Sequence, residues 1–273
     1  MRIDWSINRR PETMIIPEWE LEKTPEMQYR RELTFIYQET AFGMGIPLYS
    51  VVSVDALDDP ADKKQLTDIL PDAKAAILIG TPIADPIQRL WHRIGGVSMK
   101  TFTTVVTSSV EIMLLSIAEK LEVQGYQTAS IQLPLTPTNK HTRLFELSGA
   151  GFTGKNHMVI VEHYGCRVNL GAVVTNAPLL HGDYRYDSYK TNECGDCTLC
   201  EEYCPSGALK NGEYDQEKCQ AYINDPANQL HFTEHTLLKC DACMRVCPLG
   251  RQDRWDSATV AWTKILEEKS INY

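Results

Sequence analysis

Cys194-Gly195-Asp196-Cys197-Thr198-Leu199-Cys200-Glu201-Glu202-Tyr203-Cys204-Pro205 decides how the C-terminal part of this chain folds. Its Cys-x2-Cys-x2-Cys-x3-Cys-Pro spacing is that of a bacterial ferredoxin half-site. Three thiolates on a tight loop hold three irons of one cubane, while the fourth points away to a second cluster. An altered second half follows, in which Cys240, Cys243 and Cys247-Pro248 repeat the end of the motif. Leu237 stands where its first cysteine belongs, and Cys219 in the intervening loop is the replacement. Exchanging the fourth cysteines gives one [4Fe–4S] cluster on Cys194, Cys197, Cys200 and Cys247, and a second on Cys204, Cys219, Cys240 and Cys243. A zinc reading fits poorly, because zinc favours paired Cys-x2-Cys knuckles with four ligands per ion.

The other cysteine, Cys166, stands alone and reads as an unligated thiol; none of the nine precedes it. This asymmetry divides the chain into residues 1–190, 191–250 and 251–273, with the first boundary in the polar stretch 181–193. Hydrophobic residues make up 43% of the 273 residues, enough for a substantial core. The net charge of -9 does not favour a nucleic-acid duplex, whose affinity rests on Lys/Arg at phosphates. Residues 101–118 are apolar but contain Glu111 and many hydroxyls, so they read as a buried helix, not a membrane span. The N-terminus lacks the apolar core of an export signal. Cytoplasmic location is the expectation, and there dense cysteine spacing means metal, not disulfides.

The remaining pattern mixes helices and strands. Residues 27–42 read as a helix with Tyr29, Leu33, Ile36 and Tyr37 on one face and Gly43 at its end. Residues 103–124 are the clearest helix, with Val106, Val110, Met113, Ile117 and Leu121 aligned and Gly125 following. Residues 48–54, 75–79 and 126–133 read as strands, and 144–147 as a short helix. Residues 158–162 and 167–175 are expected to pair as a hairpin. Ala258, Ala261, Trp262, Ile265 and Leu266 mark a last amphipathic helix, capped by Asp256 or Ser257. The fold class is α+β.

A second notable stretch is Gly149-Ala150-Gly151-Phe152-Thr153-Gly154-Lys155-Asn156. It is neither a P-loop nor a dinucleotide fingerprint. The order Gly-x-Gly-aromatic-x-Gly-Lys, then Leu170-Gly171-Ala172-Val173-Val174-Thr175, then the double cysteine motif resembles the epoxyqueuosine reductase and reductive dehalogenase superfamily. Residues 71–83 and 119–131 are similar to its first core strand and its helix-to-strand step. The resemblance implies a nitroreductase-like corrinoid-binding domain followed by a bacterial-ferredoxin-like two-cluster domain. By that carry-over Gly149, Gly151, Phe152, Gly154, Lys155 and Asn156 line a cobalamin pocket, and electrons pass from an external donor such as ferredoxin or flavodoxin through both clusters to cobalt. A small or nucleoside-like substrate would then be reduced.

The family's acidic proton donor has no counterpart: its position falls near Leu135, and the first acid is Glu146. Another class therefore stays open, an electron-transfer protein or reductive activator serving a partner's corrinoid or flavin. A flavin-bearing nitroreductase-like enzyme is a third. The histidines form no metal pattern: His231 and His235 lack a third ligand, and His157 and His163 read first as structural. Tyr164, Tyr184, Tyr186 and Tyr189 read as packing residues, and Arg89, His92 and Arg93 beside Trp91 as a solvated basic face.

Overall fold

Two strands, β2 (Ala75–Pro82) and β6 (Val168–Thr175), run antiparallel at the centre of the sheet, with Ile77 opposite Val173 and Leu78 opposite Ala172. All eight β6 residues are buried, so neither face of the sheet meets water there. In this computed structural model, residues 24–83, 97–133, 141–161, 164–182, 194–225, 228, 240 and 242–249 are described, with backbone only for 97–106. β1 (Leu48–Ser53) pairs outside β2, and β3 (Thr128–Gln132) pairs outside β6, giving the order β1-β2-β6-β3 with every pairing antiparallel.

Side chains alternate between the two faces of a strand, so the buried residues divide between two cores. Tyr49, Val51, Ile77, Ile79 and Val173 meet Leu33 and Tyr37 of helix α1 (Pro25–Gly43) and Val110, Leu114, Ile117 and Leu121 of helix α3 (Val97–Val123). Val52, Ala76, Leu78, Ala172 and Val174 meet Leu66 of helix α2 (Pro60–Thr67) and Leu144 and Phe145 of helix α4 (Thr142–Leu147). Each fully buried Leu or Ile contributes about 1.5–3 kcal/mol.

The helix starts follow simple chemistry. Thr24 caps α1 by accepting from Met27 N at 3.2 Å, with Pro25 at the first helical position. Asp59 caps α2 in the same way, accepting from Ala61 N at 2.8 Å. Gly125, at φ +89, lets the chain leave α3 in the left-handed region, as its position after the helix suggested.

Two expectations are corrected. On α1, Tyr29 and Ile36 are about half exposed (each 49%), while Thr34, Gln38 and Ala41 join Leu33 and Tyr37 on the buried side. Thr34 fits inside because its hydroxyl donates to Arg30 O and accepts from Leu180 N. The expected hairpin between residues 158–162 and 167–175 does not form. β6 has both edges taken by β2 and β3. β5 (Val159–Ile160) instead pairs with β4 (Phe152–Thr153), and a single bridge between Val161 and Gly165 closes the following turn. The final helix, Leu135, His163, His231, His235, Tyr184, Tyr186, Tyr189 and the patch around Trp91 lie outside the described residues.

Candidate iron–sulfur site

The glycine-rich stretch is the β4–β5 hairpin, and it faces the cysteine-rich segment. Gly151 and Gly154 are small for an internal reason. A Cβ on Gly151 would stand 2.4 Å from Ile160 O, and one on Gly154 2.4 Å from Ile160 Cδ1. Both absences make room for the hairpin's own second strand. The turn between β4 and β5 carries Lys155 and Asn156 toward the cysteine-rich segment.

Lys155 Nζ donates to Gly195 O at 2.7 Å and to Cys197 O at 3.0 Å, and its main-chain N–H donates to the Cys194 sulfur. Asn156 is buried; its Nδ2 lies 3.4 Å from Cys166 Sγ and 3.5 Å from Cys243 O, while its Oδ1 accepts from Met158 N at 3.2 Å. His157 lies 3.0 Å from Gly212 O through Nε2, and its ring packs against Tyr214 with centroids 5.5 Å apart. His157 is held at φ 53, a left-handed conformation that costs an ordinary side chain about 1–2 kcal/mol and that these contacts sustain.

A second grip comes from residues 164–167. Arg167 is buried and donates through Nη1 to Cys247 O at 3.1 Å and through Nη2 to Leu249 O at 2.7 Å. Gly165, at φ +59, lets the backbone of Leu249 approach so closely that a Cβ would lie 2.1 Å from its carbonyl oxygen. Between the two grips Ile83, Met158, Ile160 and Cys166 pack against Leu209, Cys243, Met244 and Cys247 as one apolar cluster.

Within the cysteine-rich segment, short elements place the thiols. Helix α5 (Leu199–Glu202) follows the first loop and contains Cys200. The hairpin β7 (Leu209–Lys210) and β8 (Glu213–Tyr214) leads into helix α6 (Gln216–Asn224), which carries Cys219; Asp215 caps that helix by accepting from Lys218 N at 3.0 Å. Helix α7 (Ala242–Val246) carries Cys243, and Cys247 follows it.

The electrostatics separate the thiols into two groups. Burial, then the charge of Cys247, then that of Cys194, pushes Cys200 up to about 11. Burial also raises Cys194, against the Lys155 N–H, and the charges of Cys247 and Cys197 add to it. Cys247 is raised by its hydrogen bond with Cys166 and by burial. In the other group, burial and the charge of Cys204 raise Cys219, against the lowering effect of the neighbouring Tyr214 hydroxyl. Tyr214 responds to Cys219, Cys243 and Cys204, and Tyr222 to Cys240 and Cys204. For Cys204, burial opposes ionisation, but the Ser206 hydroxyl and the N–H groups of Leu209, Ser206 and Ala208 outweigh it and lower the pKa.

Thiolates crowded in this way repel one another until a strongly positive group compensates them, which is the environment an iron–sulfur cluster supplies. Among the described residues, no three His, Cys, Asp or Glu close on a point as ligands of a single ion would. The lone Cys166, unremarkable in the sequence, sits between the groups: it is fully buried beside Cys247 and Cys243. Arg167 was not singled out by sequence reasoning either. A basic residue opening an apolar strand was its only signal.

Residues 193–250 match the 4Fe-4S double cluster binding domain. The double-cluster domain thus includes every thiol in both groups. The chain is 34% identical over 112 residues to an epoxyqueuosine reductase of Bacillus anthracis, covering 39% of this chain and 28% of the relative. It is 36% identical over 119 residues to that of Gloeobacter violaceus, covering 40% and 36%. The chain therefore matches only about a third of the length of these curated relatives. Among solved structures, the epoxyqueuosine reductase of Streptococcus thermophilus superposes with a TM-score of 0.54 at 20% identity, over 81% of this chain and 66% of that one. A reductive dehalogenase superposes with a TM-score of 0.57 at 13% identity, over 91% of this chain and 37% of that one. These two likenesses show a shared fold, in which an α+β part carries a double-cluster domain. Among the described residues no helix is long and apolar enough to cross a membrane.

Proposed function

We propose that this chain is an iron–sulfur oxidoreductase in which electrons from an external donor cross two [4Fe–4S] clusters and leave toward the α+β part. One cluster would be held by Cys194, Cys197, Cys200 and Cys247, the other by Cys204, Cys219, Cys240 and Cys243. The carrying observation is the seating of the thiols. Cys247 and Cys243, one from each group, are buried against Met158, Ile160 and Cys166; Cys194, Cys200 and Cys204 pack half-buried on the same cluster, and Cys219 sits on α6, which is not part of it. This arrangement supports an electron path with one end near solvent and the other inside the molecule. The reducing interior of a cell is the environment that such thiols require.

The curated relatives are named for reduction of epoxyqueuosine, and one such reductase has been solved with a tRNA stem loop. A nucleoside-like substrate within RNA follows by analogy, and the net charge of -9 does not argue against a local RNA-binding face. The reductive dehalogenase neighbour is described as B12-dependent, which supports a corrinoid acceptor here. When bound, a corrinoid would supply a low-potential cobalt centre for the reduction.

The Gly149–Asn156 stretch itself does not fit a direct corrinoid cradle. Gly151 and Gly154 are filled by Ile160, and Lys155 and Asn156 are spent on Gly195, Cys197 and Cys243. What these residues fit is the seat of the double-cluster domain. That placement favours the second reading, a reductive activator that hands its electrons to a partner's corrinoid or flavin.

Anaerobic purification with cobalamin supplied, followed by iron, cobalt and flavin analysis, separates the two. About eight irons per chain with stoichiometric cobalt supports the resident-corrinoid enzyme. About eight irons with neither cobalt nor flavin supports the activator. Absence of iron removes both readings.

A further inference from the structure

Two cations from the α+β part hold the loops of the first thiol group. Lys155 reaches the Cys194–Cys197 loop, with Nζ on Gly195 O and Cys197 O and its main-chain N–H on the Cys194 sulfur. Arg167 reaches the other end of the same group, with its guanidinium on Cys247 O and Leu249 O. The charge of Lys155 acts on Cys194, and that of Arg167 acts on Cys247. A guanidinium remains charged in any protein environment. The second group has a different set of neighbours. Cys204 is served by the Ser206 hydroxyl and three main-chain N–H groups, and Cys219 lies beside Tyr214, all within the cysteine-rich segment, while Cys243 meets the α+β part at uncharged groups, with Asn156 Nδ2 3.5 Å from its carbonyl oxygen and Cys166 in the same apolar cluster. Glu201 follows Cys200 on α5 and its charge acts on that thiol, while its carboxylate accepts from Asn211 N and Gly212 N at 2.9 Å each; Asp196 is a second acid, inside the Cys194–Cys197 loop.

A [4Fe–4S] cluster with four thiolates gains one negative charge when it takes up one electron, so a nearby cation stabilises the reduced form and a nearby anion opposes it. We propose that Lys155 and Arg167 set the reduction potential of the first cluster from outside the double-cluster domain, with Glu201 as the opposing charge, while the second cluster is insulated from them. The cluster whose cysteine loops those two cations hold is thereby the one whose potential responds to the α+β part. Arg167 has a second effect as a positioning residue: it fixes Cys247, the ligand farthest in sequence from the Cys194–Cys200 loop. This inference rests on the two-cluster reading, because it needs two clusters to compare.

The test is an anaerobic potentiometric titration followed by EPR on wild type, Lys155→Met, Lys155→Arg, Arg167→Met, Arg167→Lys and Glu201→Gln, with iron counted in each. The expected result is a lower potential for one cluster only in Lys155→Met, recovery in Lys155→Arg, and a rise of that same cluster's potential in Glu201→Gln. Arg167→Met is expected either to lower that potential or to lose that cluster alone, with Arg167→Lys retaining it. Lys155 is half-buried at the surface, so its variants fold even if those of Arg167 do not. Unchanged potentials in Lys155→Met and Glu201→Gln, or equal shifts of both clusters, overturn the inference. Wild type without about eight irons instead removes the two-cluster reading beneath it.

Discussion

Asn156→Ala is the substitution that most sharply tests whether the glycine-rich hairpin serves as the seat of the double-cluster domain. The Asn156 side chain is 2% exposed and joins three pieces of chain: Met158 N donates to its Oδ1 at 3.2 Å, and its Nδ2 reaches Cys166 Sγ and Cys243 O at 3.4 and 3.5 Å. Alanine removes the acceptor from the Met158 N–H, and an unsatisfied buried group costs about 1–3 kcal/mol. The Nδ2 contact to Cys243 O is long and sulfur is a weak acceptor, so each adds a few tenths of a kcal/mol at most. A small void adds to this, so the expected loss is roughly 2–3 kcal/mol. Denaturant unfolding of the anaerobic protein, followed by far-UV circular dichroism and by cluster absorbance, measures it. The cluster absorbance should be lost first, because the damage lies between the two parts and not inside the sheet. A loss below about 0.5 kcal/mol, or simultaneous loss of both signals at an unchanged midpoint, would refute the reasoning.

Other consequences are simpler. Leu78→Ala, in the fully buried centre of β2, is expected to cost about 2–5 kcal/mol by denaturant unfolding without altering the iron content of the folded protein. Cys219→Ser should lower the iron content to about four per chain, whereas Cys166→Ser should leave it at about eight, as measured by colorimetric iron assay. Alkaline stability should depend on Tyr37, whose pKa is pushed up to about 12 by burial and then by the charge of Tyr29. The neutral phenol is favoured in the fold, so its contribution is complete below the unfolded value near 10 and is lost as pH rises toward 12. Tyr37→Phe should therefore flatten the decline of stability between pH 10 and 12, a difference of roughly 2 kcal/mol in urea unfolding at the upper end.

The sequence carried the architecture where one physical signal dominated. The run at residues 75–79 had to be a buried strand, and the structure extends it to Ala75–Pro82. The aligned apolar residues of 103–124 gave a helix, and Val110, Ile117 and Leu121 are indeed buried. Pairing was harder to read, because a strand pattern does not say which neighbour takes each edge. The stretch 167–175 looked like the second arm of a local hairpin, yet it is one of the two central strands of the sheet, held between the distant β2 and β3. The glycine-rich stretch was visible but ambiguous. Closely spaced glycines announce close approach without saying what approaches, and here it is Ile160. Lys155, Asn156 and Cys166 acquired meaning only when folding set them against the cysteine loops. Nothing in the local sequence of Arg167 announces that its guanidinium ends on the carbonyls of residues 80 or more positions away.

The most direct test of the account counts iron, acid-labile sulfide and spins together. Protein purified and reduced under anaerobic conditions should contain about eight irons and about eight sulfides per chain, with an EPR spectrum integrating to about two interacting spins. About four irons with a single spin, or zinc in place of iron, would contradict the claim that the two thiol groups form an electron path.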